Sequence, residues 1–471
     1  MPASSLKGVD MGVTEKLAAF VVDTDYESVP EEAVTAAKRA VLDTLAVTIA
    51  GCREDASRII AAYVRELGAA GDAGVVGTGL RTAPPEAALA NGTFAHALDY
   101  DDVNISMRGH PSAPLLPAVL ALGEKTGASA REAIVAFVLG FEVECKVGAA
   151  MGGSHYAHGW HPTATLGSLG AAAASAKLLG LDTAATRAAL GIASSLAGGT
   201  RQNFGTMTKP LHAGVAASNG VRAAMLAHKG FTADADIIEA PLGFLHMFAR
   251  PDDYDAGKAV ASLGQPFDIV RPGIGVKLYP CCYATHRALD AALALRRERG
   301  IEPQRIARVT VKVSRGTAMP LIHSRPQTGL EGKFSMEYCL AASLLDGRVS
   351  LASFSDQAVQ RPQAQDLLRR VDMEEEAESQ GEGPILGPAT VTVILDDGSE
   401  HSQRVDIPKG DPRAPLTWEE LAAKYRDCAA GILSHQAIGR SLEIIASLEA
   451  APDIRELMAQ VCPMASRQGL S

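Results

Sequence analysis

The chain has 471 residues, 47% of them hydrophobic, and carries 44 Lys and Arg against 54 Asp and Glu, a formal net charge of −10. That length supports two or three domains around a large core, and the acidic balance excludes a nucleic-acid surface, which needs a basic face. Seven cysteines without framework spacing, an N-terminus (MPASSLKGVD) lacking a signal peptide's apolar core, and the want of an uninterrupted membrane-length apolar run lead us to expect a cytoplasmic protein that does not contact membranes.

Taken in order, residues 13–67 repeat apolar positions at helical spacing. Pro30-Glu31-Glu32 opens a helix there, and Gly51 closes it as a glycine cap. Residues 128–150 and 163–179 repeat the pattern, so rich in alanine and glycine that helices can pack closely. Pro210 opens a further helix over 211–229. No sustained β-pattern precedes residue 300. The texture changes near Pro266. Residues 305–314 (RIARVTVKVS) alternate as a strand, and 389–407 read as a hairpin turning at Asp397-Gly398. Helices are predicted over 334–345 and 363–371, an exposed acidic loop over 373–383, and a helical tail from Trp418. The expected fold is mostly α. Residues 1–265 and 406–471 form a large all-helical domain, and 266–405 form a smaller α+β domain.

Four polar islands stand out of this apolar background. The first, HALDYDDVNISMRGHPSAPLLP (residues 96–117), gathers Asp99, Asp101, Asp102, Arg108 and His110. In a helical setting Asp99 and Asp102 share a face. Pro111 bends the chain at His110, which suits acid–base work beside carboxylates, with Arg108 near enough to bind a substrate carboxylate. A capped surface turn with a solvated acidic face is the bland alternative. The second island, SHYAHGWHPTAT (154–165), spaces His155, His158 and His161 three apart. Gly159 and Pro162 break the helix that would align them, so no metal is expected. His161 instead stands at a helix N-terminus, placed to bind an anion or to move a proton. The third, NFGTMTKPLHAG (203–214), offers backbone N–H groups, the Thr208 hydroxyl and the Lys209 ammonium before a proline-opened helix, which suits a carboxylate. Neither it nor GVVGTGL (74–80) fits a nucleotide-binding glycine pattern. In the fourth, VKLYPCCYATHR (276–287), Lys277 and His286 flank Cys281 and Cys282. A buried structural role for these thiols weighs more than a nucleophilic one.

These islands, in this order and over nearly the whole chain, resemble the MmgE/PrpD family, which includes 2-methylcitrate dehydratase, cis-aconitate decarboxylase and iminodisuccinate epimerase. The resemblance rests on HALDYDD, RGHPS, GWHPT, GTMTKPLHAG and KLYPCCYATHR. It implies a large helical domain, a smaller lid domain, an active site between them, a homodimer and no cofactor. It places Asp99, His110, His161, Lys209 and Lys277 in the lining of that site. MRGHPS, GWHPT, NFGTMTKP and CCYATH are most similar to the epimerase. Cis-aconitate decarboxylases carry a histidine where Cys282 stands, and a tyrosine near Ile322.

The expected function is therefore cofactor-independent α-proton abstraction from a small di- or tricarboxylate. Epimerisation of iminodisuccinate type is the first reading and a lyase of the same family the second. A non-catalytic carboxylate-binding protein is the rival from another class. Lys209, Lys277 and Arg108 would stabilise the developing dianion, His110 and His161 would serve as base and acid, and Asp99 would orient one imidazole. Thr208, Cys282 and His286 join Arg108 as substrate-binding candidates.

Overall fold

The computed structural model describes residues 11–69, 71–376 and 387–462. The helices Glu31–Gly51, Pro84–Ala97, Ser112–Thr126, Ala130–Ala150, Pro162–Leu178 and Thr208–His228 form the centre of the larger body. In Pro162–Leu178 every residue up to Ala176 is buried. A helix apolar on all sides has no face to turn to water, so it takes the middle.

Small residues let these helices approach. A Cβ on Gly92 would stand 2.8 Å from Gly214 Cα, and one on Gly214 would stand 2.2 Å from Leu89 O. Because Gly92 meets Gly214 and His96 meets Lys209, Pro84–Ala97 and Thr208–His228 run antiparallel. The C-terminal end of the first therefore lies against the N-terminal end of the second. Pro210 stands inside this second helix, not at its start as expected; the first turn begins at Thr208. His110 precedes Ser112–Thr126, His161 is the N-cap of Pro162–Leu178, and Lys209 lies in the first turn of its helix. Three helix N-termini, each with partial positive charge, thus converge on one place.

The larger body is not wholly helical. Strands β1 (Ala73–Gly74) and β2 (Arg81–Thr82) form a short antiparallel ribbon. The smaller body is built on a four-stranded sheet of β3 (Ile306–Val313), β4 (Val371–Glu375), β5 (Ala389–Leu395) and β6 (Glu400–Val405), in the order β4-β3-β5-β6. Val309, Val311 and Val313 pair with Val393, Val391 and Ala389. These share a core with Leu289 and Leu340 of the helices His286–Arg299 and Met336–Asp346. β4 corrects the expected acidic loop. Its residues lie parallel to β3, with Val371 buried and Asp372, Glu374 and Glu375 exposed at the sheet edge. An edge strand needs only one apolar face, so a run of acids can still pair. Residues 377–386, the rest of that expected loop, lie outside the described residues.

The tail returns to the helical core. Helix Trp418–Ala429 packs on Glu31–Gly51, and Tyr425 and Ile445 join the core of the larger body. Buried Lys424 ties the segments together. Its ammonium sits 2.7 Å from Asp43 Oδ1 and donates at 2.9 Å to the carbonyls of Tyr100 and Lys277. No helix among the described residues is long and apolar enough to cross a membrane.

Candidate functional site

Helix Pro84–Ala97 carries His96 and ends at the second residue of the first polar island, and the residues that follow are irregular. Asp99 takes a left-handed conformation, φ 51°, the position after a helix where glycine or asparagine is usual. Asp99 and Asp102 therefore share no helix face, contrary to the helical reading. The turn aims Asp99 into the junction between the two bodies. There Lys209 Nζ lies 2.6 Å from Asp99 Oδ1, and Lys277 Nζ lies 3.2 Å from Oδ2 and 2.8 Å from the Asp99 carbonyl. Lys333 donates to the Leu98 carbonyl beside it. Burial opposes ionisation of Asp99, but Lys209 and Lys277 outweigh it and hold the carboxyl well below the usual range.

Asp101 does the work expected of Asp99. Its Oδ2 lies 2.7 Å from His96 Nδ1 and 3.2 Å from His110 Nδ1. The other nitrogen of His96 faces the Lys209 ammonium at 2.9 Å. An ammonium can only donate, so His96 Nε2 accepts and the His96 proton sits on Nδ1. Burial, against the pull of Asp101, drops His96 to about 3 and keeps it neutral. His110 follows the same logic. Its Nδ1 meets two oxygens, Asp101 Oδ2 and the Asp102 carbonyl at 2.9 Å, so Nδ1 carries the hydrogen. That leaves the Nε2 lone pair of His110 free, 3.8 Å from Asp99 Oδ1. Burial lowers the His110 pKa, although Asp101 raises it.

His161 lies on the far side of His96, with ring centroids 5.5 Å apart, and its Nδ1 is 3.1 Å from His212 Nδ1. Burial, then the nearby Lys209 charge, pushes His161 well below its usual range and His212 to about 4. Asp102 turns away from the cavity and bonds the amide and hydroxyl of Ser112. Burial raises it to about 8.

Part of this cluster lines one side of a cavity of about 450 Å³ at the junction. Asp99, Arg108, His110, His161, Lys209 and Cys282 reach its surface, which unites residues from three of the four islands with Cys282 of the last. Lys277 does not reach it; fully buried behind Asp99, it acts on the cavity through that carboxylate. Thr208 also stays out, its amide bonded to Thr206 Oγ1 in the first turn of the helix. His286 is buried in the smaller body between Tyr279 and Tyr283, its Nε2 3.3 Å from the Cys281 carbonyl. Burial and the charge of Asp99 push the Cys282 thiol to about 12, so it faces the cavity protonated.

The three histidines of the second island part company. His155 bonds the Phe248 carbonyl and Thr165 Oγ1, His158 pairs with Arg250, and His161 goes to the site. The metal-like set lies elsewhere. His96, Asp99, Asp101 and His110 offer ligand atoms all within 4.8 Å of one another. In that set the positive charge facing Asp99 comes from two ammonium groups. Of the residues that matter here, Asp101 and His96 were in plain view in HALDYDD, but nothing in their spacing gave their partners. Tyr156, Phe204, Phe334 and Met319 of the cavity wall carried no signal beyond being apolar.

Fold and site together define a two-bodied, mostly helical protein with a carboxylate–imidazole–ammonium cluster at the junction of its parts. The chain belongs to the MmgE/PrpD family: residues 15–256 match the MmgE/PrpD N-terminal domain and 279–450 the MmgE/PrpD C-terminal domain. It is 30% identical over 458 residues to cis-aconitate decarboxylase of Homo sapiens, covering 94% of this chain and 92% of the relative. It is 31% identical over 478 residues to cis-aconitate decarboxylase-like protein oryM of Aspergillus oryzae (95% and 97% covered). Cis-aconitate decarboxylase of Aspergillus terreus is 29% identical over 481 residues, with 97% of each chain covered. These relatives bear the name of a lyase, where the motifs alone pointed first to an epimerase.

Proposed function

We propose that this chain is a cofactor-independent enzyme that moves a proton at the carbon next to a carboxylate of a small di- or tricarboxylate, and that it works as an epimerase of the iminodisuccinate type. One observation carries the reading. Two imidazoles, the partly buried His110 and the buried His161, face one cavity, both held neutral, and the hydrogen bonds of His110 leave its Nε2 lone pair free. In the proposed reaction His110 Nε2 takes the α-proton and the C–H electron pair moves into the carboxylate. Lys209, Arg108 and the converging helix N-termini stabilise the dianion. His161, itself neutral, gives its N–H proton to the opposite face while taking one at Nδ1 from His212, which is resupplied from solvent, and His110 then releases the abstracted proton to solvent. Lys277 keeps Asp99 ionised, and Asp99 in turn fixes Lys209.

The second reading is a lyase, favoured by the relatives named cis-aconitate decarboxylase. Loss of CO₂ leaves the same kind of carbanion, and a histidine could protonate it. Against decarboxylation, the cavity presents Cys282 where those enzymes carry histidine, and Ile322 is 46% exposed where they carry a nearby tyrosine. The test is proton NMR in D₂O with a panel of di- and tricarboxylates. Loss of the α-proton signal with inversion and no new product supports the epimerase. A product lacking CO₂ or water would transfer the assignment to a lyase. Binding without exchange or product, across the panel, would leave a carboxylate-binding protein. The homodimer expected from the family goes with this reading and is checked by light scattering.

A further inference from the structure

We propose that the substrate carries an apolar substituent beside its carboxylates, and that Ile105 and Met319 form the wall that selects it. This rests on the acid–base reading above. It keeps that proton transfer but departs from iminodisuccinate itself, which carries four carboxylates, and takes the substrate to be a dicarboxylate with an alkyl or aryl arm.

The first ground is the mismatch between the cavity's size and its charge. A space of about 450 Å³ falls in the range of roughly 300–1,000 Å³ typical of sites for drug-sized ligands. A bare four-carbon diacid leaves much of it empty. Among the described residues lining the cavity, the ammonium and guanidinium groups belong to Lys209 and Arg108. Lys209 is already shared between Asp99 and His96, and Arg108 gives Nη1 to the Gly152 carbonyl. One or two substrate carboxylates can be met there. Further ones would face Val103, Ile105, Tyr283, Met319 and Pro320, and a charge set against such a surface without a partner is costly.

The second ground is that the apolar wall is built and held, yet left uncovered. Ile105 and Met319 are each 39% exposed. Ile105 is presented by a turn closed on Asn104, whose Oδ1 accepts from the amides of Ser106 at 2.8 Å and Met107 at 3.3 Å, while its Nδ2 donates to the Gly273 carbonyl at 2.9 Å. Met319 is fixed by Arg201, which donates at 2.6 Å to the Met319 carbonyl while stacking 3.8 Å over the Tyr156 ring. Two apolar side chains presented from anchored backbone at the rim of a reactive cavity give a ligand arm something to bury. Their continuity with the carboxylate end names the occupant as part of the substrate.

The test uses the full-length protein and a homologous series running from succinate through 2-methyl-, 2-butyl- and 2-hexylsuccinate to 2-benzylsuccinate. Dissociation constants come from calorimetry, and α-proton exchange is followed by NMR in D₂O. Affinity is expected to rise about two- to fourfold per methylene over the first members, the increment for burying apolar surface. In Ile105→Asn and Met319→Asn the affinity ratio of 2-hexylsuccinate to succinate is expected to drop at least tenfold; each ratio is internal to one variant, so a general loss of fold cancels. A series that binds without a gradient, or a gradient that both variants keep, overturns the apolar arm and leaves the acid–base reading standing. A gradient without exchange overturns the catalytic reading alone. No binding by any member, succinate included, overturns both.

Discussion

The floor and the outer wall of the cavity are made by opposite means. On the floor, helix ends and buried ion pairs hold the charged groups: Asp99 takes two ammoniums and Asp101 takes two imidazoles. At the wall, Met319 and Pro320 come from a segment without regular structure, held to the larger body by Arg201 and by His323, whose Nε2 is 3.2 Å from the Phe204 carbonyl. The floor has one workable arrangement, because moving any member strands a buried charge. The wall can change shape and residue without stranding anything. Protonation states are therefore set on one side and substrate fit on the other, and variants should divide the same way.

The largest effect is expected on the floor. His110→Gln should lower turnover by about 10²- to 10⁴-fold, the usual worth of a general base, as read by α-proton exchange; a loss under about tenfold would move the base elsewhere. The wild-type pH profile should agree. With His110 below its ordinary value, activity should persist below the ordinary imidazole value of about 6.5 and fall only as further acidification protonates Nε2. Lys209→Ala comes next, with at least ~2 kcal/mol lost in kcat/KM and a folded protein by circular dichroism. Unchanged kinetics would reduce Lys209 to a partner of Asp99.

At the wall the effects should be smaller and fall on KM. Arg201→Ala releases the Met319 and Tyr156 carbonyls and should raise KM roughly tenfold, the worth of a charged hydrogen bond, with kcat changed less. An equal fall in kcat would erase the division between wall and floor. The smallest effect on activity is expected at Asp102, beside the floor but outside the cavity, where the change falls on stability instead. Its folded value near 8 lies above that of an unfolded aspartate, about 3.9. The unfolded chain therefore loses this proton first, and the group's contribution to stability declines as pH rises from about 4 to 8. Asp102→Asn should gain on the wild type in melting temperature across that window and hold a constant gap above it. A gap that shrinks with pH would show Asp102 ionised in the fold.

The sequence made most of the helices readable and little of the site's wiring. Glu31–Gly51 and Ala130–Ala150 follow from apolar spacing, because helical periodicity is local, although Gly51 is the last helical residue and Cys52, not a left-handed glycine, is the cap. The hairpin at Asp397-Gly398 follows from its turn chemistry. Asp99, by contrast, was expected to share a helix face with Asp102 and to steady a histidine. Its left-handed backbone ends that logic, and Asp101, two residues on, takes the histidines instead. His286 looked like part of the site from its place beside the cysteines, yet the first turn of helix His286–Arg299 carries it into the core of the smaller body. Spacing along the chain tells which element a residue joins. Where a loop residue points depends on partners that arrive from distant segments, as Lys277 does from 178 residues away.

The central claim is the protonation state of His110, and nitrogen NMR reads it directly. In protein labelled with ¹⁵N-histidine at pH 7, the signals lost in His110→Gln assign this ring. A neutral imidazole with its hydrogen on Nδ1 and an unprotonated Nε2 is expected, and His96 should show the same tautomer. An imidazolium at His110, or a neutral ring with the hydrogen on Nε2, would contradict the account, because the cavity would then face a donor where the proposed base must accept.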